Sequence, residues 1–61
     1  MTNLTAKELS ALEDQLGFEQ LMHCKYQTAA NACSDQALKT KYQNYAAKHK
    51  SNYTDLLNFL K

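Results

Sequence analysis

Glu19, His23 and His49 are the residues of this chain whose types and spacing suit chemistry. Glu19 and His23 stand four apart, so on a helix they share one face. A carboxylate and two neutral imidazoles form a donor set suited to Zn, Fe or Mn. Nucleophilic chemistry has less support. Cys24 follows His23 directly, but adjacent helical positions point about 100° apart, so the two do not make a nucleophile–base pair. There is neither a Cys-x-x-Cys pair nor a glycine-rich phosphate loop. The expectation is a protein without catalysis.

The elements that must position these residues are helices. Thr5-Ala6-Lys7-Glu8 fits a capping box, with Leu4 and Leu9 at the two staple positions. From there Leu9, Leu12, Leu16, Glu19, His23, Tyr26, Ala30 and Cys33 recur at alternating spacings of three and four, a heptad stripe. Glu19 and His23 therefore lie on the apolar seam rather than on the solvent side. Gly17 interrupts a helix interior at a cost of ~1 kcal/mol relative to alanine, which suggests a close approach or a slight bend there. The pattern breaks at Cys33-Ser34-Asp35, where Ser34 or Asp35 can cap a second helix. Its stripe is Leu38, Tyr42, Tyr45, His49, Asn52, Leu56 and Phe59, widened by Ala46, Tyr53, Leu57 and Leu60. Lys61 adds a cation at the C-terminal pole. The reading is an all-α hairpin forming one domain over residues 1–61, with helices at about 6–32 and 35–60.

Two helices of similar length with a short connection pack antiparallel. With the turn near Ser34-Asp35, residues whose numbers sum to about 69 come level. His23 then faces Ala46, and His49 falls beside Gln20 and Glu19. The three candidate ligands thus gather within one helical turn. Two helices cannot bury both stripes, so a homodimeric four-helix bundle is expected. Its core is formed by Leu9, Leu12, Leu16, Tyr26, Leu38, Tyr42, Tyr45, Leu56 and Leu60.

A second reading of the polar seam competes with metal binding. Tyr26, Tyr42, Tyr45 and Tyr53 lie on or beside the stripes, and their hydroxyls can satisfy a buried Glu or His. Composition limits the remaining classes. The chain has 61 residues, no proline, one glycine and a net charge of +1. Lys39, Lys41, Lys48 and Lys50 read as a solvated face. Nothing in this balance argues for a nucleic-acid or membrane partner. No apolar run is long enough for a bilayer, and no signal-peptide core is present, so synthesis in the cytoplasm is expected. Cys24 and Cys33 are nine apart, too far to bridge along one helix. They read as small buried hydrophobes, with an intermolecular bridge as the alternative.

The segments "LTAKELSALEDQLGFEQLMHCKY" and "SDQALKTKYQNYAAKHKSNYTDLLNFL" together resemble the short ferritin-like proteins of the coat F type, found in spore coats. The likeness rests on Glu19, Tyr26, the polar break before "QALKTKY", and His49 ahead of an aromatic residue and a leucine pair. It implies a ferritin-like half-bundle, a structural role among other spore coat proteins, and location in the coat. Glu19 and His49 match two ligand positions of metal-binding ferritin-like proteins. Ala46 stands where such proteins carry a further Glu. An ion of the Zn or Fe kind held by Glu19, His23 and His49 is the alternative function.

Overall fold

Thr5 starts the first helix as its sequence requires. Its backbone is extended (φ −70°, ψ 162°), its Oγ1 accepts from the Glu8 N–H at 3.1 Å, and its own N–H donates to Glu8 Oε1 at 3.0 Å. Both halves of the capping box are present. In this computed structural model, which describes residues 3–60, helix α1 runs Ala6–Ala32. The Cys33 N–H turns back to the Ala30 carbonyl at 3.2 Å and closes the helix with a tighter turn.

Asp35 takes the second cap rather than Ser34. Its carboxylate accepts from the Leu38 N–H at 3.0 Å, and its backbone is extended. That geometry places it outside the helix, so α2 runs Gln36–Leu57 rather than from residue 35. Asn58–Leu60 tightens into a single 3-10 turn instead of continuing the α-helix to residue 60. Lys61 lies outside the described residues. Among those described there is no strand, and no helix is long and apolar enough to cross a membrane.

The helices pair antiparallel into a rod measuring 46 × 15 × 11 Å. The expected level of His23 with Ala46 is met: the ring nitrogen lies 2.8 Å from the Ala46 carbonyl. Further toward the turn, the Tyr26 ring stacks on Tyr42 and tilts against Tyr45.

The core is small. Leu16, Ala30 and Ala46 are the buried apolar residues, and Glu19 is buried with them. Helix α2 turns Ala46 squarely toward α1, leaving it 1% exposed. A methyl group there lets the two backbones approach. The same rotation carries one row of the expected stripe off the seam: Leu38, Tyr45 and Phe59 are 42%, 47% and 54% exposed. Leu9 and Leu60, near the open end of the hairpin, are also exposed. Of these, Leu9, Leu38, Tyr45 and Leu60 were expected in the dimer core, and all are surface in the single chain.

Of the two readings of Gly17, a close approach or a slight bend, the close approach does not hold. A Cβ added to it would meet nothing within 4 Å. The cysteines also differ from the buried pair expected. Both are free, with Cys24 exposed and Cys33 half-buried, its thiol directed at the Asp35 carbonyl.

Candidate functional site

The site is a polar layer across the middle of the seam. Glu19 reaches it because residues 12, 16, 19, 23, 26 and 30 form the inward face of α1. The Glu19 carboxylate is 6% exposed, and each of its oxygens has partners. Oε1 meets His49 Nδ1 at 2.5 Å and accepts from Asn52 Nδ2 at 3.4 Å; Oε2 accepts from Gln15 Nε2 at 2.7 Å. The first two bonds join α1 to α2, and the third runs one helical turn along α1.

The His49 hydrogen bond holds the Glu19 carboxyl below its ordinary range, and the bonds from Gln15 and Asn52 act in the same direction. Burial opposes them. It does not prevail because a two-helix rod gives the carboxylate only a thin low-dielectric cover. Glu19 is therefore ionised at neutral pH and accepts the Nδ1 proton of His49.

Aromatic rings hold the imidazole in place. Tyr26 stacks on it with centroids 5.7 Å apart and planes 10° apart, and Phe18 meets it edge-on at 6.2 Å. Sequence reasoning assigned the tyrosine hydroxyls to satisfying the seam. Instead Tyr26 contributes its ring face, and amides supply the hydrogen bonds. Gln15 and Asn52 were the partners missed. Asn52 was visible on the stripe, and Gln15 at four residues before Glu19 is a standard helical pair position.

His23 is engaged elsewhere. Its Nδ1 bonds the Ala46 carbonyl. A carbonyl only accepts, so Nδ1 carries the proton. The ring borders an open cleft of about 210 Å³ together with Gln20, Lys50 and Tyr53. The structure thus brings Glu19 and His49 into contact and gives His23 a separate partner. Among the described residues, no three His, Cys, Asp or Glu side chains are grouped to hold a metal ion. No buried side-chain nitrogen or oxygen among them lacks a hydrogen-bond partner.

No protein-family model, curated protein or solved structure matches this chain.

Proposed function

We propose that the chain is a structural, non-catalytic module that works by self-association. Two hairpins pack through the exposed α2 row into a homodimeric four-helix bundle, each hairpin serving as a ferritin-like half. The observation that supports this most is surface. The hairpin exposes 4682 Å², whereas a compact folded monomer of this mass exposes about 4,000 Å². The excess of roughly 650–700 Å² is close to the ~800 Å² per partner of a standard interface. It coincides with a row of large apolar side chains, Leu38, Tyr45 and Phe59, that a lone hairpin leaves wet. Assembly into a protein coat of the spore type follows from the sequence resemblance alone.

Size-exclusion chromatography with light scattering tests the core of this reading. A dimer at micromolar concentration is the expected result. A well-folded monomer at tens of micromolar removes the packing argument and the bundle together.

The alternative is an ion-holding ferritin-like module using Glu19, His23 and His49, with Zn or Fe as the ion. Its support is the Glu19–His49 contact between the helices. Metal analysis of untagged protein checks it: bound metal below about a tenth of an equivalent, with no thermal shift on adding Zn(II) or Fe(II), rules it out, since a ligand that binds the folded state raises stability.

A further inference from the structure

Both imidazoles are held at Nδ1, His49 by the Glu19 carboxylate and His23 by the Ala46 carbonyl. With Nδ1 protonated, Nε2 keeps its lone pair in the neutral ring. No hydrogen bond occupies either Nε2, and neither is a buried atom without a partner. Both lone pairs therefore reach solvent. An imidazole whose far nitrogen donates to a carboxylate or carbonyl is the arrangement found in metal-ligating histidines.

The surroundings separate the two rings. His23 shares its cleft with the Lys50 side chain, whose positive charge disfavours a cation there. His49 does not line that cleft, and its ring neighbours are Phe18 and Tyr26. Leu38, Tyr45, His49, Asn52 and Leu56 fall within about 60° of arc on α2. Phe59 follows in the 3-10 turn just beyond α2, and the edge contact brings Phe18 of α1 beside His49. His49 stands midway along this row, between exposed Leu38 and exposed Phe59. A twofold axis through the middle of the row sets Leu38 of each copy toward Phe59 of the other. It also brings the two His49 rings to the axis.

We propose that two copies of the hairpin share one divalent-ion site of the zinc or cobalt(II) kind, with His49 Nε2 of each copy as ligand. Water fills the remaining positions, and Glu19 is the positioning carboxylate of each ring rather than a ligand. The inference rests on the dimer reading above. It replaces the three-residue cluster within one chain by a site that is incomplete without the second copy.

The test uses the full chain with Cys24→Ser and Cys33→Ser, which removes competing thiols. Zn(II) is titrated at neutral pH by calorimetry, and the monomer–dimer equilibrium is measured by sedimentation with and without Zn(II). The expected result is one ion per two chains and a dimer tightened at least about tenfold. His49→Gln abolishes both effects, while His23→Gln leaves both in place. Glu19→Gln weakens the ion by about 10–100-fold, as loss of an orienting carboxylate does, with helix content by circular dichroism retained. A dimer indifferent to Zn(II) overturns the site and leaves the dimer reading intact. A monomer under both conditions overturns both. One ion per chain, or binding that survives His49→Gln, also overturns the shared site. If His49→Gln fails to fold, the stoichiometry and the zinc-linked association of the histidine-intact chain still decide.

Discussion

Replacing Gly17 with alanine should stabilise this protein, and the size of the gain follows from the structure. Gly17 lies in the interior of α1, exposed, with no positive φ among the described glycines. A Cβ at this position meets nothing within 4 Å. The substitution therefore brings no clash and no strained backbone. What remains is the helix-interior difference between glycine and alanine, about 0.5–1 kcal/mol. Part of that gain comes from the unfolded chain, which loses freedom when the side chain is added. In a domain this small, 1 kcal/mol moves the thermal midpoint by about 4–8 °C, so the expected rise is roughly 2–8 °C. Far-UV circular dichroism of both proteins at one fixed concentration measures it, because the proposed self-association would make the midpoint concentration-dependent. An unchanged or lower midpoint refutes the reasoning. It would mean that the side of α1 bearing Gly17 is covered, and the proposed dimer interface would have to move there from the Leu38–Tyr45–Phe59 row.

Three further outcomes are expected. Thr5→Ala removes the side-chain half of the capping box seen at Glu8 and should cost about 0.5–2 kcal/mol, read as a lower urea midpoint with an unchanged slope. Glu19 and Glu8 both have carboxyls held below the ordinary 4.5, by the His49 hydrogen bond and by the Thr5 backbone N–H respectively. Such groups add stability above the ordinary value, and that stability is lost as pH falls through the folded-state value. Thermal midpoints should therefore decline on the acid side of 4.5, and Glu19→Gln should flatten part of that decline; an identical acid branch in the variant contradicts the assignment. Replacing Glu19 and His49 together by leucine should leave thermal stability equal or higher but broaden or multiply the Tyr26 ring signals in NMR spectra. A single sharp native-like set would show that the polar pair does not fix the register.

The sequence was most informative where a single residue type carries a local mechanism. Thr5 with Glu8 specified the first helix start to the residue, and the short polar break fixed an antiparallel pairing whose level puts His23 at Ala46. The inward placement of Glu19 was legible because a carboxylate at a heptad position has nowhere else to point. The rotation of α2 was not legible. Leucines and tyrosines on a broad stripe are equally apolar on either edge, and only the space available decides which row faces in. Ala46 decided it by being small, a property that reads as weak hydrophobicity in a pattern and as close approach in three dimensions. The partners of Glu19 were obscured for a related reason. Amide side chains such as Gln15 and Asn52 carry no charge to announce them, and tyrosines offered a hydroxyl that the geometry did not use.

The polar layer matters most for register. Apart from Glu19 and Asn52, the inward positions of both helices are mostly leucine, alanine, tyrosine and histidine, and a slip by one heptad leaves most apolar residues facing apolar residues. The apolar contacts alone therefore discriminate poorly between registers. Glu19 removes the degeneracy. Slipped by seven, its carboxylate comes level with Gln43 or with Leu57 instead of the His49 and Asn52 turn. Level with Leu57 the buried charge loses its interhelical donors outright, and level with Gln43 it exchanges the imidazole and Asn52 for a single amide; both cost more than an apolar mismatch does. A shallow core of Leu16, Ala30 and Ala46 supplies little specificity of its own. The Glu19–His49 pair is then the feature that makes one hairpin out of several near-equal alternatives. In the same position it keeps the imidazole fixed, with Nε2 on the side of the ring away from the carboxylate.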